Sequence, residues 1–386
     1  MTAPRPNVCH PPRQEPRPPG PRSGGSANTC ATRTDGTAWC WGYNNDGRIG
    51  DGTITQRSVP TQAGSATAWS RISAGNTHTC AVQTDGTLWC WGFTGYNHTG
   101  HGLTRFTLAQ LGTAQWGTVD LGSQDGCGIH SDASLWCWGN NAYGDLGQGD
   151  YSPRSLPTQV GASSWKSVGV GEYHTCAIRS DSTLWCWGND WNGQLGQGDT
   201  TQRTTPTQVG AGSTWANLSV GAFHTCATKT DGTLWCWGYN AYGQVGDGTT
   251  TDRTSPTQVG VLTTWSTVAG GGFHTCATKT DGTLWCWGYN NSGQVGDGTF
   301  TNRTTPTQLG ALTTWATAAG GHYHSCATQT GGTLWCWGLN GNGQVGDGTT
   351  TARTSPTQVG ALTIWSKIAA GYGHSCATQT NGTAWC

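Results

Sequence analysis

The stretch "HTCATKTDGTLWCWG" spans His224 to Gly238 and returns, letter for letter, from His274 to Gly288. It places two cysteines ten positions apart around a Thr-Asp-Gly turn. The register of that turn decides whether they meet. A two-residue Asp-Gly turn would set Thr230 against Thr233 and Cys226 against Trp237, with Cys236 on the other face of the ribbon. A three-residue loop, with Gly232 left-handed as a bulge, shifts the pairing by one residue. Lys229 then faces Thr233, and Cys226 faces Cys236 at a separation that a disulfide can span. The same count pairs Cys30–Cys40, Cys80–Cys90, Cys127–Cys137, Cys176–Cys186, Cys226–Cys236, Cys276–Cys286, Cys326–Cys336 and Cys376–Cys386, leaving Cys9 over. It also puts Gly232, Gly282 and their equivalents at positive φ, with Ser182 and Ser134 expected in that strained place in units four and three. Two other readings stay open. The cysteines could be reduced and packed as small apolar side chains. They could bind metal, although no pair has the tight C-x-x-C spacing of a zinc knuckle.

Outward from the hairpin, the second cysteine recurs at Cys40, Cys90, Cys137, Cys186, Cys236, Cys286, Cys336 and Cys386, at intervals of 47 to 50 residues. Fixed periods of this size signal a repeat architecture. Between the hairpins, Gly, Thr and β-branched residues dominate, and Gly interrupts any 3.6-residue pattern. Short apolar stretches alternate with turn signals about every ten residues, which reads as several short strands per unit. The expected fold is all-β: a β-propeller with about 50 residues per blade, a solenoid being the alternative architecture. Residues 1–25 are rich in Pro and Arg and read as a disordered leader, and residues 26–386 as the propeller.

The submotifs "WGYNAYGQVGDG" (237–248), "RTSPTQV" (253–259), "VAGGGFHTCA" (268–277) and "DGTLWCWG" (281–288) recur in one order. In this they resemble the repeat of the regulator of chromosome condensation family, over about residues 26–386. That resemblance implies a seven-bladed propeller. The count allows eight, because eight Cys–Cys hairpins are joined by only seven "GQVGDG…P…W" segments. The family includes the plant ultraviolet-B photoreceptor, whose sensing tryptophans lie in a "GWRHT" motif. Here Tyr173, Phe223, Phe273, Tyr323 and Tyr372 stand at or beside the place where Trp is wanted, which argues against photoreception.

Other residues recur once per unit. His78, His174, His224, His274, His324 and His374 precede the first cysteine by two positions, on the same face of a strand; a hydrogen bond to a neighbouring blade's backbone is the expected role, ahead of a metal or proton site. Arg57, Arg105, Arg154, Arg203, Arg253, Arg303 and Arg353 are expected to tie their own loops to carbonyls or to the Asp of "GDG", with an anion-receiving ring as the competing reading. Trp237, Trp265 and their equivalents are expected to pack between blades.

One unit departs from the template: "WGFTGYNHTGHGLTRFTLAQLGTAQWGTVDLGSQDGCGIHSDASLWCWG" (91–139). It brings Tyr96, His98, His101, Arg105 and Phe106 into a loop region, and Trp191 in "NDWNGQLG" is a second irregularity. Near-identical blades cannot all serve one asymmetric partner, so these six residues are the expected binding site; drift in a tolerant loop is the bland alternative.

Charged residues are only 10% of 386, and the net charge is −1. That is well short of the basic footprint of a nucleic-acid binder. No apolar run is long enough for a transmembrane helix. No H-E-x-x-H, P-loop or dinucleotide fingerprint is present, and Glu15 and Glu172 are the only glutamates, so neither an enzyme nor a cofactor is expected. Seventeen cysteines point to an oxidising compartment. The first residues nevertheless lack the apolar region of a signal peptide. A start lying elsewhere, a piece of a larger exported protein, or reduced cysteines would each resolve that conflict. The expected function is a disulfide-stapled, non-enzymatic, protein-binding module, secreted or at the cell surface and monomeric. The alternatives are a cytoplasmic regulator similar to an exchange factor for a Ran-type GTPase, and a secreted propeller similar to an enzyme inhibitor. A repeated small ligand such as a glycan competes with the protein partner.

Overall fold

Thr, Val and Trp, which favour a pleated half-buried surface, form thirty short strands here, and no helix occurs among the described residues. The computed structural model describes residues 28–32, 36–42, 44–75, 77–93, 105–212, 214–363, 365–371, 375–379, 384 and 385. The leader 1–25, Cys9, Tyr372, His374 and the bridge to Cys386 lie outside the described residues.

The fifth blade shows the plan. Trp215–Val220, His224–Lys229, Leu234–Gly238 and Arg253–Gln258 form one antiparallel sheet in chain order. Bulges interrupt the register between Trp215 and Asn217 and between Cys236 and Gly238. Six sheets have these four strands. Two have three: Asn28–Thr32, Ala38–Gly42 and Arg57–Gln62 at one end, and Trp365–Ala370, Ser375–Gln379 and Ala384–Trp385 at the other. Strand Asn28–Thr32 lies between Ser375–Gln379 and Trp69–Ala74, so the ring closes. The first strand of each unit is innermost. All seven such strands reach a central cavity of about 230 Å³, through Ala74, Leu121, Val170, Val220, Gly270, Gly320 and Ala370. The chain is thus an all-β propeller holding the inner and outer strands of seven blades. The surplus element is one hairpin, and it divides the ring among eight sheets.

The hairpin has the three-residue register. Cys226 pairs with Cys236, and Lys229 N–H donates to the Thr233 carbonyl at 2.9 Å. Gly232 and Gly282 take φ of 78° and 76°. A Cβ on Gly282 would sit 2.1 Å from the Thr313 carbonyl oxygen, so both conformation and space require glycine there. Seven pairs, from Cys30–Cys40 to Cys326–Cys336, are disulfides with Cα atoms 4.1–4.2 Å apart. One expectation is corrected. In the third unit the left-handed residue is Ala133, at φ 69°, and not Ser134. The loop counts His130, Ser131, Asp132, Ala133, so Ser134 already belongs to the next strand's approach. Ser182 takes φ 65°, as expected.

The apolar core lies between blades. Cys226, Leu234, Cys236, Val245 and Val259 pack with Trp265, Ala277 and Trp287 of the next blade. A polar lock accompanies the junctions where a Thr or Ser precedes the first cysteine, as at Thr79, Thr175, Thr225, Thr275 and Ser325; Gly126 stands there in the third unit. The Gln194 carbonyl accepts from the Thr225 hydroxyl and from Trp237 Nε1, both at 2.9 Å, and so both its lone pairs are used. Gln244 receives Thr275 and Trp287 in the same way, and Gln294 receives Ser325 and Trp337. The histidines complete the lock. His174 Nε2 lies 3.0 Å from the Thr225 hydroxyl, whose one proton already goes to Gln194. The imidazole is therefore the donor, in its neutral Nε2–H form. His224 and Thr275, and His274 and Ser325, repeat this at 2.9 and 2.7 Å. The expected backbone bond is replaced by a hydroxyl relay, because the next blade's Thr or Ser stands between the ring and the carbonyl.

The arginines also behave as structure. Arg253 and Arg303 bind Asp247 and Asp297 at 2.5 Å, and Arg57 and Arg353 do the same with Asp51 and Asp347. Arg154 and Arg203 use Asp150 and Asp199, because Gln148 and Gln197 stand where the Asp of "GDG" would be.

Candidate functional site

Two kinds of loop leave the same face of the ring. The loop from first to second strand ends at His224, which pairs with Gly238, the start of the loop from third to outer strand. The central mouth on this face is hydrogen-bonded from loop to loop along five neighbouring blades: Glu172 N–H donates to the Ala222 carbonyl, Ala222 to Gly271, Gly272 to Gly321 and His322 to Gly371. Gly221 is held there by close approach. A Cβ would meet its own blade's His224 at 2.5 Å and the Gly271 carbonyl at 2.8 Å.

Around this mouth runs an unbroken arc of aromatic rings. Trp191 meets Tyr143 at 5.4 Å, and Tyr143 meets Tyr173 at 4.8 Å. Tyr173 leads to Phe223 at 6.2 Å, and Phe223 stacks on Phe273 at 5.5 Å. Phe273 leads to Tyr323 at 6.2 Å, and Tyr239, Tyr242 and Tyr289 fill the outer side of the same bend. Trp191 is 63% exposed and the rest are half-buried. Such a surface offers large rigid apolar area with hydroxyl tips at low side-chain entropy cost, the composition of binding hot spots.

Charge at the mouth itself is sparse, and the ion pairs of the outer loops lie further out. Glu172 lines the mouth, hydrogen-bonded to Tyr173. Burial raises the Glu172 carboxyl and, with Glu172 beside it, pushes the Tyr173 phenol up to about 12. Burial holds His322 down at about 4 and, in the layer beneath, His174 at about 3 and His224 at about 4. These rings are neutral near pH 7 and lend the face no positive charge.

Beneath the Trp191 end the chemistry changes. Asp125 occupies the histidine position of the third blade and Asp145 the glutamine position. Burial raises Asp125 well above the usual carboxylate range, with Asp145 adding to it, and brings Asp145 to about 7. Asp120 is pushed to about 6 by burial, although its carboxylate accepts from Val170 N–H at 2.9 Å. Asp190, raised by burial to about 7, stands where Asn240 donates to the carbonyls of Thr249 and Thr251. A carboxyl can donate there only when protonated. Among the described residues no group of three or more His, Cys, Asp or Glu could hold a metal ion.

Of the expected site residues, Tyr96, His98 and His101 lie outside the described residues. Arg105 begins an outer strand opposite Gly92. Phe106 is 43% exposed, beside Gly47 at the rim. Trp191 alone of these described residues enters the arc. The sequence reading missed Tyr143, Tyr239, Tyr242 and Tyr289, and weighed Tyr173, Phe223, Phe273 and Tyr323 only against photoreception. The signal available was an aromatic just before four of the recurring histidines, His174, His224, His274 and His324.

The family profile of the regulator of chromosome condensation (RCC1) repeat matches residues 35–82, 132–178, 181–228, 231–278, 281–328 and 331–378, and a second profile of that repeat matches segments from 69–98 to 316–344. Among curated protein sequences none matches the chain. Among solved structures, Prp20p from Saccharomyces cerevisiae, described with its binding to Gsp1p and histones, is similar at a TM-score of 0.76 and 19% identity, over 90% of this chain and 92% of that one. Human WBSCR16 is similar at 0.76 and 19%, over 88% and 98%. Yeast RCC1 (Prp20) bound to Kap60 is similar at 0.74 and 19%, over 88% of each. Likeness at this identity shows the fold.

Proposed function

This chain belongs to the regulator of chromosome condensation (RCC1) repeat family, and from that premise we propose that it is a non-enzymatic protein-binding propeller, secreted or at the cell surface, that receives its partner on the aromatic face. The observation that carries the reading is the continuous arc from Trp191 to Tyr323 around the central mouth. A yeast propeller of this fold supports it: Prp20 is described in one structure with its binding to Gsp1p and histones, and in another as bound to Kap60. The seven disulfides support an oxidising location.

A random-peptide display selection against the folded chain tests the binding face. Enriched peptides should lose at least about tenfold in affinity for Trp191→Ala, the loss typical of an interface anchor. Peptides that bind Trp191→Ala and Phe223→Ser as well as the parent would refute the reading. A thiol count on protein prepared without reductant tests the location: about one reactive thiol, Cys9, is expected, and seventeen would defeat it.

The second reading is a nucleotide-exchange factor for a Ran-type GTPase, favoured by the likeness to Prp20p. Net charge of −1 and the disulfides weigh against it. Release of a fluorescent nucleotide from such a GTPase should be no faster with this protein; catalytic acceleration would replace the first reading by the second.

A further inference from the structure

The fourth blade departs from the template twice on the face that carries the arc. Its loop from first to second strand holds Glu172 where other blades hold Ser123, Ala222, Gly272 and His322. Its loop from third to outer strand holds Trp191 where they hold Ala142, Ala241, Asn291 and Gly341. Two tyrosines join these departures. Trp191 lies 5.4 Å from Tyr143 with the rings at 85°, and Tyr143 lies 4.8 Å from Tyr173 at 53°. The Tyr173 phenol then donates to the Glu172 carboxylate. Three rings in three planes lead to one carboxylate, and Glu172 is the only glutamate among the described residues.

The electrostatics of this corner favour a cation. Glu172 is the one acidic side chain among the described residues that line the central cavity, and His322 on the same lining is neutral near pH 7. Asp145, in the layer beneath, acts on the corner too: with Glu172 and Tyr143 it joins burial in pushing the Tyr173 phenol up to about 12. Groups that resist a further negative charge favour a positive one by the same interaction. The basic residues of the neighbouring outer loops, Arg154 and Arg203, are already paired with Asp150 and Asp199, so neither supplies that cation. Ring faces attract cations through their quadrupole, Trp most strongly. The chain uses this chemistry elsewhere, where the Arg179 guanidinium lies 5.0 and 3.6 Å from the rings of Trp165 and Trp185. A guanidinium suits the corner better than an ammonium, because it stacks flat on a ring while offering paired N–H donors to a carboxylate. The phenol of Tyr173 uses one of about four lone-pair sites on Glu172, which leaves acceptors for them.

We propose that Trp191, Tyr143, Tyr173 and Glu172 receive one arginine side chain of the protein partner, which fixes where along the arc that partner sits. The inference rests on the arc being the binding face and names the chemistry that face selects. The run of similar rings from Phe223 to Tyr323 gives contact area without register; a single charge pair at one end supplies it.

The probes are peptides from a random display library selected on the full chain, resynthesised with a fluorophore and read by anisotropy. Each arginine is replaced in turn by citrulline, which keeps the shape and loses the charge. One arginine per peptide should be required: its citrulline form should lose at least about tenfold on the parent, the loss typical of an interface anchor. On Glu172→Gln the same replacement should cost less than about twofold, because the charge it answers is gone. Where Glu172→Gln does not fold, the citrulline comparison on the parent decides alone. Selected peptides without arginine, citrulline tolerated on the parent, or an equal loss on Glu172→Gln overturns the inference. So does full recovery with lysine, which would assign the corner to any cation. If any of these occurs while Trp191→Ala still abolishes binding, the arginine site falls and the binding face stands. Selected peptides indifferent to Trp191→Ala refute both.

Discussion

The third and fourth blades share a backbone plan with the fifth and sixth, and differ at the same few positions. Asp125 stands for His224, Asp145 for Gln244, and Asp190 for Asn240. Ala133 and Ser182 stand for Gly232 and Gly282 at the left-handed turn. On the turn face, His130 and Arg179 stand for Lys229 and Lys279 in a clamp of two tryptophans. Lys279 lies 4.9 and 3.5 Å from the rings of Trp265 and Trp285, and Arg179 lies 5.0 and 3.6 Å from Trp165 and Trp185. His130 stacks on Trp136 at 4.9 Å. The difference teaches which parts of the template are chemistry and which are shape. A cation or imidazole fills the clamp in these four blades, and Gln83 and Gln329 stand there in the second and seventh. Asp190 alone has the shape of the amide it replaces, and it can donate as Asn240 does only while protonated; Asp125 and Asp145 are smaller than the His and Gln they replace, and burial raises all three carboxyls.

The largest expected effect breaks the comparison at those carboxyls. A buried acid raised from 3.8 to about 7 is stabilised in the fold while protonated, and that stability is lost as pH rises from about 4 to 7, on the order of 4 kcal/mol for Asp145. The histidines have the opposite sign. His174, lowered from 6.5 to about 3, contributes stability that is present above pH 6.5 and lost as pH falls below it. In the parent the two slopes oppose each other between about pH 4 and 6.5. Asp145→Gln with Asp190→Asn, the residues of blade five, should raise thermal stability at pH 7.5 and expose a steeper loss on acidification. An unchanged profile of melting temperature against pH would count against the protonated carboxyls.

Next comes the turn. Gly282→Val should destabilise by about 2 kcal/mol or more, from positive φ and the clash with Thr313. Ser182→Gly should move the other way by about 1 kcal/mol, since a left-handed non-glycine residue carries a strain of roughly that size. Urea unfolding of both variants checks the pair, and a destabilised Ser182→Gly would show that the fourth blade's turn is relaxed.

A smaller effect sharpens the clamp. Lys279→Met keeps the stem and removes the charge, so it should lose about 0.5–1 kcal/mol, the scale of a cation over aromatic rings. No change on denaturant titration would assign the clamp to packing alone. Smallest in stability is Trp191→Ala, below about 0.5 kcal/mol for a side chain 63% exposed. Its consequence should appear in binding instead.

Local features were legible in the sequence because they close within one hairpin or one loop. The Cys226–Cys236 register follows from counting along a single turn, and the Arg253–Asp247 pair spans six residues. The arc was not legible. Phe223 and Phe273 lie fifty positions apart and meet only because adjacent blades bring equivalent loops side by side. The role of the histidines was half legible: their burial follows from strand alternation, but the hydroxyl that receives each one belongs to the next blade, as Thr275 does for His224. The propensity for a loop to differ, used to single out residues 96–106, says where sequence varies and not where rings converge.

The polar lock has a consequence at the level of the gene. Thr225 reaches back to Gln194 and Thr275 to Gln244, each thirty-one residues upstream. Removing or duplicating one fifty-residue unit between them would therefore rejoin each such Thr and Trp to a backbone carbonyl at the same offset. The identical stretches at 224–238 and 274–288 invite that event. Unequal recombination between them would yield an in-frame chain whose internal junctions are all intact, with only the curvature of the ring left to accommodate the change in number.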